Sequence, residues 1–144
     1  MSDGAPRSWL FTPGSRPDRF AKAMETTAEA VILDLEDAVA EERKPQARNE
    51  VLAFLAGRPA QGPRIAVRIN PLNRRVGLED LAALAQLWTP PDYVVVPKAE
   101  EPVELALAAQ VLGETPRPLT GQRLKSGPPP MASKRITSAP SWAR

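Results

Sequence analysis

The sequence has 144 residues, 42% of them hydrophobic and 25% charged, which is enough for one soluble domain with its own core. It contains no cysteine and no histidine, which excludes disulfides, thiolate chemistry and an imidazole base or metal ligand. Any acid–base or metal chemistry must therefore use Asp, Glu, Lys, Arg, Tyr or water. No apolar run approaches the roughly 18 residues of a membrane span, and the N-terminus lacks a signal-peptide core. These features predict a cytoplasmic protein.

The formal net charge of +2 is unevenly distributed along the chain. Residues 113–144 contain six basic residues and one acid, so the remainder is mildly acidic. A nucleic-acid or acidic-partner binder acting through this basic segment is one hypothesis. Trp142 is the only aromatic residue there that could stack on a base, so this hypothesis is the weakest, and no nucleic-acid or membrane partner is predicted.

Short apolar runs alternate with helical patterns along residues 8–112. Strands are predicted at Ser8–Thr12, from Val31, at Arg64–Asn70 and at Tyr93–Pro97. Helices are predicted at Arg19–Met24, from about Glu41 to Leu55, at Leu78–Trp88 and from Pro102 to about Leu112. The third helix is expected to bury one side, formed by Leu78, Leu81, Leu84, Ala85 and Trp88. The βαβαβαβα order predicts a parallel α/β sheet, either doubly wound or part of a (β/α)8 barrel.

The second strand ends in three acids, Asp34, Glu36 and Asp37, within the run V-I-L-D-L-E-D-A-V. Ligands of α/β proteins bind beyond the carboxyl ends of parallel strands, and Asp34 and Glu36 point to the same side in extended backbone. A buried acid needs a hydrogen bond, a counter-charge or a cation. The acids therefore form a candidate site, and the alternative is a solvated strand end with helix-capping acids.

Residues 113–144 differ in character from the rest of the chain. They contain six prolines, few apolar residues and no sustained periodicity. This composition predicts an irregular, protease-sensitive tail without a fifth strand. We therefore divide the chain into a domain at 1–112 and a tail at 113–144.

Four motifs occur in order at suitable spacings: R-S-W-L-F-T-P-G-S-R-P-D-R-F, V-I-L-D-L-E-D-A-V, V-R-I-N-P and V-V-V-P-K-A-E. Over about residues 7–112 the chain resembles the citrate lyase beta-subunit branch of the HpcH/HpaI aldolase superfamily. The resemblance implies the first four β/α units of a (β/α)8 TIM barrel. It also implies a Mg2+-dependent carbon–carbon lyase that acts on citryl-, malyl- or citramalyl-CoA through an enolate. Family members are usually homo-oligomers.

The resemblance also assigns roles to individual residues. Phe11 would lie in the substrate-binding region, Arg16 and Arg19 near the CoA phosphates, and Lys98 beside an acid or the substrate. Asp34, Glu36 and Asp37 would border the metal and its waters. The alternatives are an ordinary strand-end aromatic for Phe11, solvated arginines for Arg16 and Arg19, and a surface lysine for Lys98.

Arg68 is the candidate catalytic and substrate-binding residue. It stands alone as a cation in the apolar run I-A-V-R-I of the third strand and therefore needs an anion, and its planar fork suits a carboxylate or a carbonyl oxygen. The family has a substrate-binding arginine at this motif. An internal salt bridge to Asp34 or Glu36 is the alternative, and both can hold together.

The similarity stops after the fourth unit. The family's fifth strand supplies a metal-binding Glu and the following unit an Asp, but here the sequence reads T-P-R-P-L-T-G-Q-R-L-K-S. The expected metal ligands are therefore absent, which suggests a frameshifted or truncated gene. We expect a lyase by descent that is inactive as this chain, or a non-catalytic half-barrel that folds only with a partner.

Overall fold

The computed structural model describes residues 5–113 and 135–138. The strands are β1 (Trp9–Pro13), β2 (Ala30–Asp34), β3 (Arg64–Arg68), β4 (Tyr93–Val96) and β5 (Arg135–Ser138). The helices are α1 (Phe20–Met24), α2 (Lys44–Ala56), α3 (Arg75–Ala85) and α4 (Pro102–Gly113). Short 3-10 turns at Pro17–Arg19 and Glu41–Arg43 lead into α1 and α2. None of the helices in these ranges is long and apolar enough to cross a bilayer.

All five strands are parallel and lie in the order β1-β2-β3-β4-β5. The predicted parallel arrangement of the first four strands is confirmed. In a sheet whose strands follow chain order, every strand ends at the same edge, where the βα loops gather. The motifs that end β1 to β4 are therefore brought to one edge.

The two faces of the sheet are packed differently. One face carries alternate strand residues such as Val31, Leu33, Ile65 and Val67, and buried residues of all four helices pack against it. The other face carries a smaller cluster: Ile32, Ala66, Tyr93 and Val95, with Trp9 and Phe11 beside them. The helices thus cover one face only, as expected for consecutive units of a (β/α)8 barrel and not for a doubly wound sheet.

The prediction that residues 113–144 lack a strand is wrong at 135–138. Arg135–Ser138 form β5, which pairs with β4 in the register Tyr93↔Arg135 to Val96↔Ser138. Five of the six prolines on which the prediction rested lie between residues 116 and 130. The short run R-I-T-S contains β-forming residues and has the edge of β4 to pair with. The other residues of the predicted tail, 114–134 and 139–144, lie outside the described ranges.

The prediction for the buried side of α3 is wrong in part. Leu81 and Leu84 are buried, but Leu78 is 47% exposed and Trp88 is 68% exposed beyond the end of the helix. The buried side instead includes Gly77 and Asp80. Asp80 faces inward because it finds hydrogen-bond donors there, and this fixes the rotation of the helix about its axis.

Candidate functional site

The centre of the site is a buried ion pair between β2 and β3. Asp34 and Arg68 are partners in the strand register, so their side chains emerge side by side on the face without helices. Arg68 donates from Nε to Asp34 Oδ1 at 2.8 Å and from Nη2 to Oδ2 at 2.7 Å. The side chains are only 8% and 2% exposed. The predicted internal salt bridge of Arg68 is therefore confirmed.

Asp34 also fixes the backbone that follows β2. Its Oδ1 accepts the N–H of Glu36 at 2.9 Å, and its Oδ2 accepts the N–H of Ala38 at 3.1 Å. Each carboxylate oxygen of Asp34 therefore accepts one hydrogen bond from Arg68 and one from a backbone N–H group. A carboxylate this fully bonded positions its neighbours and has little remaining capacity for another ligand.

Arg68 is held in place from a second direction by Phe11. The guanidinium carbon lies 5.0 Å from the centroid of the Phe11 ring, within the range of a cation–π contact. The bonds to Asp34 use Nε and Nη2, and Nη1 donates no hydrogen bond to any of the described residues. A guanidinium has five N–H donors, so Arg68 can be fixed by Asp34 and still offer donors to a ligand.

Glu36 connects Arg68 with Lys98. Glu36 is 4% exposed, and its Oε2 lies 3.4 Å from Arg68 Nε. Lys98 Nζ lies 2.8 Å from the other oxygen, Oε1. Asp37 is largely exposed and lies 3.9 Å from both Arg68 Nη2 and Lys98 Nζ. The five side chains Asp34, Glu36, Asp37, Arg68 and Lys98 therefore form one cluster, which we call the charge cluster.

The electrostatics of the cluster stabilise the protonated forms of Arg68 and Lys98. The hydrogen bonds with Asp34 raise the pKa of Arg68, against the opposing effect of burial, and the charges of Asp34, Glu36 and Asp37 add to the rise. Contact with the Glu36 carboxylate, and then the charge of Asp37, raises the pKa of Lys98. Both side chains are therefore firmly protonated at neutral pH.

Lys98 has an unusual backbone conformation. Its φ is 51°, in the left-handed region that non-glycine residues seldom adopt. It follows β4 in the run V-V-V-P-K, so the chain turns sharply at the end of the strand. The ion pair with Glu36 helps to hold this strained residue, and strain of this kind is concentrated at functional sites.

Two buried polar residues that support the cluster were not identified from sequence. Lys44 is 5% exposed, and its Nζ donates to the carbonyls of Leu35 at 3.0 Å and Glu36 at 2.8 Å. Asn70 is fully buried, and its Nδ2 donates to the same Leu35 carbonyl at 2.9 Å and to Asp80 at 2.7 Å. Asn70 stands in the motif V-R-I-N-P, but nothing local in the sequence shows that either side chain is buried.

A polar cavity of about 460 Å3 lies beside the cluster. Six of the residues that line it are Glu36, Asp37, Lys44, Asn70, Arg74 and Lys98. Its volume falls in the range of small-molecule sites. The loops that follow β2, β3 and β4 all contribute to it, as expected for a ligand site at the carboxyl ends of parallel strands.

Arg16 and Arg19 lie apart from the charge cluster. Arg16 forms an exposed bidentate pair with Asp18, at 2.9 and 2.7 Å, which raises the pKa of Arg16 and lowers that of Asp18. Arg19 is exposed on the outer side of β1, beside Lys22. No contact among the described residues joins either arginine to Arg68.

The described residues do not fit an inner-sphere magnesium site. They contain no group of three or more Asp or Glu side chains arranged to hold a metal ion. Both oxygens of Asp34 are bonded to N–H groups, and Glu36 lies between two cations. Mg2+ requires several free oxygen ligands in near-octahedral geometry. The acids present here serve Arg68 and Lys98.

Comparison with known proteins adds independent evidence. Residues 7–132 match the family described as HpcH/HpaI aldolase/citrate lyase. A citrate lyase subunit beta-like protein of Mycobacterium tuberculosis is 47% identical over 109 residues, which cover 76% of this chain and 35% of the relative. A (3S)-malyl-CoA thioesterase of Cereibacter sphaeroides is 34% identical over 111 residues, covering 76% and 38%.

A solved structure shows the same fold. CitE from Mycobacterium tuberculosis, in complex with magnesium, acetoacetate and coenzyme A, superposes with a TM-score of 0.60 and 42% identity. The match covers 76% of this chain and 38% of that one, so the chain spans little more than a third of the relatives described here. The described β/α units are thus the first four of a (β/α)8 barrel. The chain belongs to the HpcH/HpaI aldolase/citrate lyase family.

Proposed function

We propose that this chain supplies the anion-binding part of an active site that cleaves or forms a carbon–carbon bond in a 3-hydroxyacyl-CoA thioester. The substrate class is that of citryl-, malyl- or citramalyl-CoA. The observation that carries the proposal is the buried guanidinium of Arg68, which is fixed by Asp34 and Phe11 at the carboxyl ends of the strands. Glu36, which lies 3.4 Å from Arg68 Nε, connects it to the polar cavity that Glu36 lines.

Arg68 would bind the oxygen on which negative charge develops. Cleavage of such a thioester leaves the electron pair of the broken bond on the acyl-CoA fragment, as an enolate. A preorganised cation in a buried site stabilises this charge without having to reorient during the reaction. Asp34 would act as a positioning residue, because it sets the plane of the guanidinium through two parallel bonds.

Lys98 would contribute a second positive charge at the same edge. Its ion pair with Glu36 keeps it at the cavity, and its φ of 51° sets the direction of the loop. Phe11 would shield one face of the guanidinium from water. Arg16 and Arg19 would attract the CoA phosphates from the exposed side of β1, as point charges in solvent.

Magnesium supplies charge stabilisation when it is bound in such sites. Since Asp34, Glu36 and Asp37 serve the two cations, the metal ligands must come from outside the described residues. Outside the described ranges the 144-residue sequence supplies only two acids, Asp3 and Glu114. We therefore propose that a polypeptide of these 144 residues has no lyase activity alone. Metal analysis of the purified polypeptide should find less than one equivalent of tightly bound Mg2+.

The direct test is cleavage of malyl-CoA, citramalyl-CoA and citryl-CoA with Mg2+. It should be run on the polypeptide alone and after mixing with, or fusion to, the remaining β/α units of a relative. Carbon–carbon cleavage of malyl-CoA yields acetyl-CoA and glyoxylate, whereas thioester hydrolysis yields free CoA and malate. Quantifying both product pairs separates a lyase from a thioesterase. Strong Mg2+-dependent turnover by the polypeptide alone would contradict the proposal of inactivity.

Arg68→Lys in the completed barrel tests the role of the arginine. Lysine keeps the charge but cannot form the two parallel bonds to Asp34, so kcat should fall by tenfold or more. Arg7→Lys is the matched control, because the pair of Arg7 with Glu29 is exposed, lies at the amino ends of β1 and β2, and has no proposed contact with the substrate. Unchanged turnover in Arg68→Lys would mean that Arg68 has a structural role only.

A second candidate is a non-catalytic half-barrel that is stable only with a partner. It is favoured by the lack of a metal-binding acid set in the described residues. The lyase assay on the completed barrel distinguishes the two candidate functions. A half-barrel that has lost its ability to bind the substrate anion would stay inactive after the missing β/α units are restored.

A further inference from the structure

Every polar group of the backbone at Leu35 and Glu36 has a hydrogen-bond partner. The two N–H groups donate to the Arg68 carbonyl and to Asp34 Oδ1, both at 2.9 Å, and the two carbonyls accept from buried side chains. This backbone carries the Glu36 carboxylate, which lies 3.4 Å from Arg68 Nε and 2.8 Å from Lys98 Nζ. The groups that hold the backbone therefore determine where the carboxylate lies between its two cations.

Lys44 holds this backbone from the side of α2. Its Nζ donates to the Leu35 carbonyl at 3.0 Å and to the Glu36 carbonyl at 2.8 Å. The residue is 5% exposed, and no carboxylate of the described residues forms an ion pair with it. It is also the first residue of α2, where the helix dipole disfavours a positive charge. A buried cation without a counter-ion is costly, so the two carbonyl bonds are what stabilise Lys44 in this position.

Asn70 holds the same backbone from the side of α3. Its Nδ2 donates to the Leu35 carbonyl at 2.9 Å and to Asp80 Oδ2 at 2.7 Å. The backbone N–H of Asn70 donates to the same Asp80 oxygen at 2.9 Å. Asp80 is fully buried and accepts a further bond from Arg48 Nε at 2.7 Å. Asp80 thereby orients the Asn70 amide, with its nitrogen directed at the Leu35 carbonyl.

The two holds overlap at one carbonyl. Among the described residues, the Leu35 carbonyl accepts from Lys44 and Asn70, and the Glu36 carbonyl accepts from Lys44 and from the N–H of Val39 at 3.2 Å. Removing either side chain alone leaves each carbonyl with one donor, so both single variants should fold. Removing both leaves the buried Leu35 carbonyl with none, which is costly enough to move the backbone.

We propose that Lys44 and Asn70 are positioning residues that fix the Glu36 carboxylate between the two cations of the charge cluster. Held there, Glu36 stays on the Nε side of Arg68, and Nη1 remains available to an anion. Without the two holds, the carboxylate turns towards the free donors of Arg68 and competes with a ligand anion. The positioning role concerns geometry alone, and only its consequence for turnover rests on the proposed lyase function.

NMR on the 144-residue polypeptide can follow the position of the carboxylate. Contact with Glu36, and then the charge of Asp37, raises the pKa of Lys98, whereas burial and the charge of Arg68 lower it. The pKa of Lys98 therefore reports how closely the Glu36 carboxylate approaches Nζ. Glu36→Gln gives the value in the absence of this carboxylate and so defines the full size of the effect.

Lys44→Met and Asn70→Leu should each lower the pKa of Lys98 part of the way to that value. The double variant should lower it by more than the sum of the two, because only the double variant leaves the Leu35 carbonyl without a donor. Lys22→Met and Asn73→Leu are the matched controls, since they make the same changes at exposed residues that do not bond this backbone. Both controls should leave the pKa unchanged.

The Nε–H resonance of Arg68 is a second signal, because the Glu36 oxygen lies 3.4 Å from Nε. It should shift in Lys44→Met and in Asn70→Leu and stay in place in the controls. Residues with only a structural role would lower the urea midpoint and leave both NMR signals where they are, and that result would overturn the proposal. If circular dichroism shows that the double variant is unfolded, the two single variants decide.

The consequence for turnover is measured in the completed barrel. There Lys44→Met and Asn70→Leu should lower kcat/KM for malyl-CoA several-fold, because the displaced carboxylate competes with the substrate for Arg68. A completed barrel that is inactive with the native residues would contradict the proposed function and leave the NMR result intact. Failure of the positioning role and failure of the lyase proposal are therefore distinguishable.

Discussion

Asp34→Asn should be among the most destabilising conservative substitutions in this chain. The carboxylate is 2% exposed and accepts four hydrogen bonds, two from Arg68 and one each from the N–H groups of Glu36 and Ala38. Asparagine retains one acceptor oxygen and places an NH2 group against N–H donors. It also leaves the guanidinium without its bidentate partner, which costs about 3–5 kcal/mol in a buried pair.

The protein offers a closely matched control. Arg16 and Asp18 form a bidentate pair with nearly the same distances, 2.9 and 2.7 Å, but on the surface. Asp18→Asn removes the same charge from the same type of pair and should change the free energy of unfolding very little, because solvent screens an exposed pair. The difference in the free energy of unfolding between Asp34→Asn and Asp18→Asn therefore measures how much burial adds to the cost of removing the charge.

Urea unfolding followed by tryptophan fluorescence, at fixed protein concentration, measures both variants. A loss of about 3–5 kcal/mol is a large part of the 5–15 kcal/mol that stabilises a typical domain, so the midpoint for Asp34→Asn should fall sharply. The double variant Asp34→Leu/Arg68→Met should be more stable than Asp34→Asn, since it leaves no buried unpaired charge. Equal midpoints for Asp34→Asn and Asp18→Asn would refute this account of the site.

Two further predictions follow from the packing and from the charge cluster. Gly77→Ala should destabilise the protein by about 1–3 kcal/mol, because a Cβ there would overlap two backbone carbonyl oxygens. Gly57→Ala is the control and should not destabilise the protein, because a Cβ at Gly57 meets no atom within 4 Å. Equal urea midpoints for the two variants would contradict this prediction. The raised pKa of Lys98 depends on Glu36, so NMR titration should show a lower pKa in Glu36→Gln. The stabilisation from this ion pair is present at neutral pH and disappears as the pH rises through the pKa of Lys98; an unchanged pKa would show that the ion pair does not form.

The sequence predicted the fold well because each unit carries its own local signals. Apolar runs followed by turn residues marked the strands, and Pro102 marked the first residue of α4. These signals need no knowledge of distant contacts. The charge cluster could be predicted for a related reason. The carboxyl ends of neighbouring parallel strands lie side by side, so Asp34 and Arg68 are expected to meet once the strands are assigned.

Features that depend on long-range contacts were not predictable. Lys44 has the sequence pattern of a surface lysine at the start of α2, and it is buried because its Nζ donates hydrogen bonds to two carbonyls of the loop after β2. Leu78 was assigned to the buried side of α3, but Asp80 takes an inward position through Arg48 and Asn70. In both cases a buried polar contact overrides the hydrophobic pattern, and the identity of its partner is not encoded locally.

The same bidentate pair carries both stability and the proposed chemistry, and this determines how variants must be interpreted. Asp34→Asn lowers activity in a completed barrel partly by unfolding it, so its loss of turnover alone assigns no role. Arg68→Lys keeps a cation beside Asp34 and Glu36, so it perturbs the geometry of the site more than its charge. If Arg68 stabilises an enolate, the loss of kcat in Arg68→Lys should exceed what its unfolded fraction at the assay temperature explains. Measuring both quantities on one preparation separates the anion-binding role of Arg68 from its structural role.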